Sequence, residues 1–422
     1  MNMNWKILTS IIMLLIILII GGIFLFQDGK ISSLSSKFNI ADIDNVIDAN
    51  NQFALDYYNQ VKGDRNNNIF FSPFSISSAF AMVYEGARGQ TSEEIQSVFY
   101  FPENDDLRRE EYMTMFNRIN DDKKEYEINI ANALWAQRDY QFIAEYLNTI
   151  EKYYEGEITN LDFKNDSENS RITINNWVEN QTNDKIRDLI PSGMIQTDTK
   201  LILTNAIYFL GEWIQQFNVD DTKEENFRIN KNDTVKVMMM QRTDSKAVFN
   251  YTENRDLQIL EMPYSGEELS MLILLPKNNN LEKLENLLSV SRLSDWKKNL
   301  EEKRVKVFIP RFKFESKSFI GELLQKMGVS IAFSDFANFS GITQEIEGLK
   351  IDEVIHQAFI EVNEEGTEAA AATAVVLTPM SAGGIKIPEI PVFRADHPFI
   401  FLIQEKSTGN ILFMGRVVNP TL

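Results

Sequence analysis

Between residues 41 and 422 the chain has no Pro/Gly/Ser-rich linker and no internal repeat, so this whole length is expected to fold as one domain. Two kinds of periodicity alternate along it. Ile40 to Val61 reads as helix, and so does Ser75 to Tyr84 after Ser72 and Pro73. A third helix is expected over Ser170 to Ile190, with apolar residues at Ile174, Trp177, Val178, Ile186, Leu189 and Ile190 and Pro191 as its stop. Strands are expected at Leu201 to Phe209 and at Ser270 to Leu275, a continuous apolar run closed by Pro276. Val305, Val307 and Ile309 alternate, and after Pro310 the alternation moves to Phe312 and Phe314. Phe399 to Ile403 and Ile411 to Val417 flank a turn of Ser407, Thr408, Gly409 and Asn410, which predicts a hairpin. Helices and strands mix without βαβ regularity, so the fold class is α+β.

Composition removes several functions. The net charge is −19, and so acidic a surface repels phosphate backbones, which argues against a nucleic-acid partner and against a heparin-type cofactor. There is no cysteine, which excludes disulfides, thiolate catalysis and Cys-based metal sites. The two histidines are His356 and His397, and no H-E-x-x-H motif is present. No metal or cofactor is expected, and the domain is expected to be monomeric.

Ile7 to Phe26 is free of charge. Twenty helical residues span about 30 Å, the thickness of a bilayer core. The apolar part of a cleaved signal is shorter, about 7–15 residues, and ends in a small-residue site that is not evident here. The expectation is a signal anchor or signal peptide over residues 1–30, a polar tether over 27–40, and a folded domain over 41–422 held outside the cytoplasmic membrane. If the segment is cleaved, the protein is secreted.

Several segments, in order and spacing, carry a more specific message. They are Asn68-Ile-Phe-Phe-Ser-Pro-Phe-Ser-Ile-Ser-Ser-Ala79, Gly86-Ala-Arg-Gly-Gln-Thr-Ser-Glu-Glu-Ile95, Ile174-Asn-Asn-Trp-Val-Glu179 with Lys185 to Ile190, and Leu203-Thr-Asn-Ala-Ile-Tyr-Phe-Leu-Gly-Glu-Trp213. Later come Glu365-Gly-Thr-Glu-Ala-Ala-Ala-Ala-Thr373, Asp396-His-Pro-Phe-Ile-Phe401 and Phe413-Met-Gly-Arg-Val-Val-Asn-Pro420. Together they resemble the serpin family over nearly all of residues 45 to 420. The resemblance implies a fold of three β-sheets and eight or nine helices, with an exposed reactive-centre loop near the C-terminus. It implies an inhibitor of serine proteases with no catalysis of its own. It also places Ser72, Ser75, Asn205 and His356 on the family's shutter, where polar groups bond beneath the main sheet, and Arg311 and Glu364 on an ion pair at the top of that sheet. The plainer readings are satisfied buried polar groups and a surface pair worth under about 1 kcal/mol.

The hinge implied by the resemblance runs over Glu364, Glu365, Gly366, Thr367, Glu368, Ala369, Ala370, Ala371, Ala372 and Thr373. Alanine favours helix, so helix is one reading of this stretch. The strand reading explains more. With period 2, Thr367, Ala369, Ala371, Thr373, Val375 and Leu377 share one face, all small or apolar, while Glu368 lies on the other. Such a face can slide into a sheet without burying charge, and Pro379 comes only after it. Family spacing places the reactive bond at Met380-Ser381. Methionine suits a medium hydrophobic pocket, so elastase-, chymotrypsin- or subtilisin-like proteases are the expected partners, trapped as a covalent acyl complex. Two rivals stand beside this reading. One is a non-inhibitory serpin acting as chaperone, carrier or storage protein. The other is a hydrolase around Asp396 and His397, disfavoured because adjacent Asp and His cannot easily adopt triad geometry and no G-x-S-x-G is present.

Overall fold

Asn45 fixes where the first described helix begins: its side chain accepts the Asp48 N–H at 2.8 Å, and α1 (Val46–Val61) starts there. The structure is a computed structural model and describes residues 43–63, 66–120, 124–344, 348–367 and 390–422. Residues 43–422 form one compact unit. After β1 (Ile69–Phe71), the Ser72 hydroxyl accepts the Ser75 N–H at 3.1 Å and caps α2 (Pro73–Gly86). Pro73 fills the first turn, where a backbone donor has no helical partner anyway.

Next come α3 (Gln90–Phe99), α4 (Asp105–Ile119), β2 (Tyr126–Gln137), α5 (Ala144–Tyr154), β3 (Glu157–Leu161) and α6 (Ser167–Gln181). The chain then turns to strands: β4 (Leu201–Glu212), β5 (Lys223–Arg228), β6 (Thr234–Arg242), β7 (Val248–Glu253), β8 (Leu257–Pro263) and β9 (Leu269–Pro276). Two helices, α7 (Leu281–Leu287) and α8 (Val290–Lys298), precede β10 (Glu301–Arg304), β11 (Lys306–Pro310) and β12 (Phe312–Phe319). The last elements are α9 (Gly321–Met327), β13 (Glu353–Val362), β14 (Gly366–Thr367), β15 (Val392–Arg394), β16 (Phe399–Glu405) and β17 (Ile411–Val417). Among the described residues there are thus nine α-helices, within the range expected.

The strands form three sheets, as the resemblance implied. A six-stranded sheet runs β12-β13-β14-β4-β2-β3, a seven-stranded sheet runs β1-β17-β16-β9-β8-β7-β10, and a four-stranded sheet runs β15-β11-β6-β5. The inner faces of the two large sheets meet in a ladder of aromatic rings, including Phe209 with Phe413 at 5.8 Å and Phe312 with Phe401 at 5.5 Å. Helix α6 covers part of the outer face through Ile174 and Val178, packed against Trp135, Ile202 and Ala206. β4 is therefore buried on both faces from Leu201 to Phe209, which explains its unbroken apolar run. The expected hairpin at the end of the chain is the β16–β17 pair.

Three expectations need correction. The helix expected over 170–190 ends at Gln181. Asn183 and Asp184 take left-handed φ of 49° and 60°, and the Asn175 side chain holds the returning backbone of Ile190 through bonds of 2.8 and 2.9 Å. Ile186, Leu189 and Ile190 still reach the core, but from a loop. The helix expected from Ile40 begins at Val46, because Asn45 caps it, and residues 40–42 lie outside the described residues. The membrane-anchored, extracytoplasmic placement is also set aside. No helix among the described residues is long and apolar enough to cross a membrane, and residues 7–26 and the tether 27–40 lie outside them.

Candidate functional site

The six-stranded sheet has a seam at its centre. β13 and β4 pair directly and parallel from Glu353↔Ile202 to Phe359↔Tyr208. Above that point they part, and β14 stands between them. Thr367 pairs antiparallel with Gly211 on one side and with Val362 on the other. The chain therefore leaves β13, reverses over Glu364 and Glu365, and returns as a short wedge. The Asn363 N–H donates to the Gly366 carbonyl at 2.9 Å, and the Asn363 side chain accepts the N–H groups of Glu365 and Gly366 at 3.0 and 3.1 Å. An asparagine that caps its own turn in this way is a frequent turn-former.

This hairpin is pinned from outside at Asn363, Glu364, Glu365 and Thr367. The Trp213 indole N–H donates to the Asn363 carbonyl at 3.0 Å, and its backbone N–H donates to the Glu365 carbonyl at 2.7 Å. The Phe217 N–H reaches the Glu364 carbonyl at 2.8 Å. The Glu364 side chain, only 3% exposed, accepts Arg311 through Nε at 2.8 Å and Nη2 at 2.6 Å, and also the Thr222 hydroxyl. Arg311 sits between β11 and β12, where the chain crosses from the four-stranded to the six-stranded sheet. The pair is half-buried, with Arg311 open to water on one side and Glu364 closed off. Removing Arg311 would strand a carboxylate that water barely reaches. Thr367 is fully buried, and its hydroxyl shares a hydrogen bond of 2.8 Å with the Tyr264 hydroxyl. A cavity of about 500 Å³ opens beside Glu364, but the cations on its wall are taken by ion pairs, Arg311 with Glu364 and Lys313 with Glu361.

Lower in the seam, the four polar residues singled out from the sequence meet beneath the sheet. The Ser72 N–H donates to His356 Nε2 at 3.2 Å, and His356 Nδ1 bonds Asn205 Oδ1. Since Nε2 accepts, the proton sits on Nδ1 and is donated to Asn205. Burial pushes the imidazole pKa from 6.5 down to about 3, so the ring is neutral. The Asn205 amide nitrogen donates to the Ser75 carbonyl at 2.8 Å and also meets the Ser75 hydroxyl and Asn132. The Ser72 hydroxyl donates to the Leu412 carbonyl at 2.6 Å, which ties the cluster to β17. His356 and Asn205 lie directly opposite in the β13–β4 register, so their bond spans the seam.

Sequence reasoning missed several partners. Asn132, on β2, donates to the Ser78 hydroxyl at 2.8 Å and completes the cluster. Its signal was one amide inside the apolar run Ile130 to Trp135. Tyr264 and Thr222 gave no local signal, because their roles come from strands far apart in sequence, whereas Asn363, three residues before Gly366, was a local turn signal that was passed over. Glu368 to Thr373, Met380 and Ser381 lie outside the described residues. His397 is held by Asp396 at 2.7 Å through Nδ1 and by the Pro276 carbonyl at 2.7 Å through Nε2. A carbonyl oxygen thus stands where a triad would need its nucleophile. Among the described residues no group of His, Asp and Glu could hold a metal ion.

Comparison with known proteins agrees with this geometry. The family model for serpins, serine protease inhibitors, matches residues 48–420. The chain is 45% identical to a serpin-like protein of Methanosarcina mazei, over 89% of this chain and 87% of that one. It is 40% identical to leukocyte elastase inhibitor A of Rattus norvegicus, over 88% and 98% of the two chains. Among solved structures, uncleaved ovalbumin superposes with a TM-score of 0.79 at 32% identity, covering 89% of this chain and all of that one. These likenesses, to archaeal and mammalian proteins, lend no support to membrane anchoring.

Proposed function

The chain belongs to the serpin family, and from that membership we propose that it is an irreversible, suicide-type inhibitor of serine endopeptidases. In this reading a protease attacks the Met380 carbonyl and forms an acyl-enzyme, releasing the amine of Ser381. The cut loop then enters the six-stranded sheet before water can complete hydrolysis. Insertion of a serpin loop as an added strand is a recognised mode of sheet extension. Thirteen residues, Thr367 to Pro379, extend roughly 40 Å at about 3.3 Å each, and the tethered protease travels that far.

The observation that carries this reading is the wedge of β14. Gly366 and Thr367 hold the first positions of a strand between β4 and β13, and the β14 register can be continued downward. Each further residue pairs with one residue lower on β4 and on β13. Ala369 would face Phe209 and Ile360, Ala371 would face Ile207 and Ala358, and Thr373 would come between Asn205 and His356. All of these neighbours point to the inner, buried face, so the small apolar face of the loop matches the interior that would receive it. Glu368 would stand on the outer face beside Glu361, whose carboxylate takes Lys313 at 2.7 Å.

Methionine at the reactive position points to elastase-, chymotrypsin- or subtilisin-like targets, and the likeness to leukocyte elastase inhibitor A supports the first of these. A trypsin-like protease, whose pocket carries a carboxylate, is not expected to be trapped. The test is incubation with one protease of each type, a denaturing gel, and sequencing of the released peptide. A band of the summed mass and a peptide beginning at Ser381 are expected. Cleavage without a stable band would favour the carrier reading.

A further inference from the structure

We infer that Tyr264 is a positioning residue that holds the hinge two residues deep in the sheet before any protease arrives, through its hydroxyl bond to Thr367. Tyr264 follows the end of β8 in the seven-stranded sheet and bridges to Trp213 beyond the end of β4. Its ring has no freedom to move away. It stacks on Trp213 at 4.4 Å and 20°, and meets the edge of Phe209 at 4.9 Å and 88°. Its hydroxyl is fully buried and bonds Thr367 at 2.8 Å. If the hinge withdrew from the sheet, a clamped, buried hydroxyl would lose this partner, which carries a desolvation cost. Thr367 would lose its partner at the same moment. Trp213 couples the two halves of the contact, since the indole that clamps Tyr264 also donates to the Asn363 carbonyl.

The bond acts in one direction. Withdrawal of the hinge breaks it, whereas further insertion leaves Thr367 opposite Gly211 and keeps it. Tyr264 therefore biases the hinge toward the inserted side, so that insertion starts from a strand already begun. The consequence for trapping rests on the inhibitory reading above; the hold on the hinge does not.

Two measurements separate these levels. Native-state hydrogen exchange of the hinge amides on the protein alone tests the hold. Tyr264→Phe keeps the ring and removes only the hydroxyl, and Thr367→Val removes the partner from the other side. Each should speed exchange at residues 366 and 367 by roughly two- to tenfold, the range of one hydrogen bond. Because both delete the same bond, the double variant should exchange little faster than either single one. With protease, each variant should raise the number of inhibitor molecules consumed per protease trapped by a similar factor. Unchanged hinge exchange in both single variants, or fully additive effects in the double one, would overturn the role of Tyr264. Failure of the unmodified protein to trap any protease would sink the inhibitory reading while leaving the exchange result to decide on Tyr264.

Discussion

A Cβ at Gly366 would lie 2.0 Å from the carbonyl oxygen of Gly211, so the wedge between β4 and β13 closes only because position 366 has no side chain. The obstacle is backbone and cannot swing aside. Gly366→Ala should therefore expel the first residues of β14, at a cost of about 1–3 kcal/mol typical of overpacking. Cleavage at Met380 should persist while the trapped fraction falls several-fold. Equal trapping by this variant would show that insertion does not begin at Gly366.

His356 makes the seam sensitive to acid. Its folded pKa is depressed to about 3 from 6.5, so below pH 6.5 the unfolded chain takes up a proton that the native state refuses. The sign is that stability is lost as the pH falls from about 6.5 toward 3, at up to roughly 1.4 kcal/mol per pH unit. Between pH 6.5 and 5, above most carboxylate titrations, denaturant unfolding should show this slope in the unmodified protein and not in His356→Gln. Parallel curves for the two proteins would mean that the ring does not titrate as its burial dictates.

Cleavage within the loop should raise the melting temperature. In the uncut protein β4 and β13 complete their lower ladder with each other, and a full-length strand between them would replace that one ladder with two and bury the apolar loop face. Scanning calorimetry before and after nicking measures this. An unchanged melting temperature would argue that the freed loop stays out of the sheet.

The parts of this arrangement that were legible in the sequence are those with a local signature. Ser72 stands before Pro73 and reads as a helix cap, whereas His356 and Asn205 were placed beneath the sheet only by the family resemblance. Individual strands were legible from apolar runs such as Ser270 to Leu275, while their grouping into three sheets came only from the resemblance. What could not be read is contact between distant strands. Tyr264 and Thr367 are 103 residues apart, and nothing around either predicts the other. The overlong third helix shows the opposite failure. Ile186, Leu189 and Ile190 keep helical spacing, but Asn183 and Asp184 reverse the chain, and tertiary burial overrides the periodicity.

The most direct measurement of the trapping mechanism compares Ala371→Arg with Glu368→Arg on one denaturing gel. In the continued β14 register, position 371 would enter the inner face between Ile207 and Ala358, both fully buried, where a guanidinium would have no partner. Position 368 would stand on the outer face, where an arginine reaches water. Both variants should be attacked at Met380 as before. Ala371→Arg should run almost wholly as the cleaved protein, with release of active protease, while Glu368→Arg should retain most of the covalent band. A covalent band from Ala371→Arg as strong as that of the unmodified protein would contradict insertion of the loop into this seam.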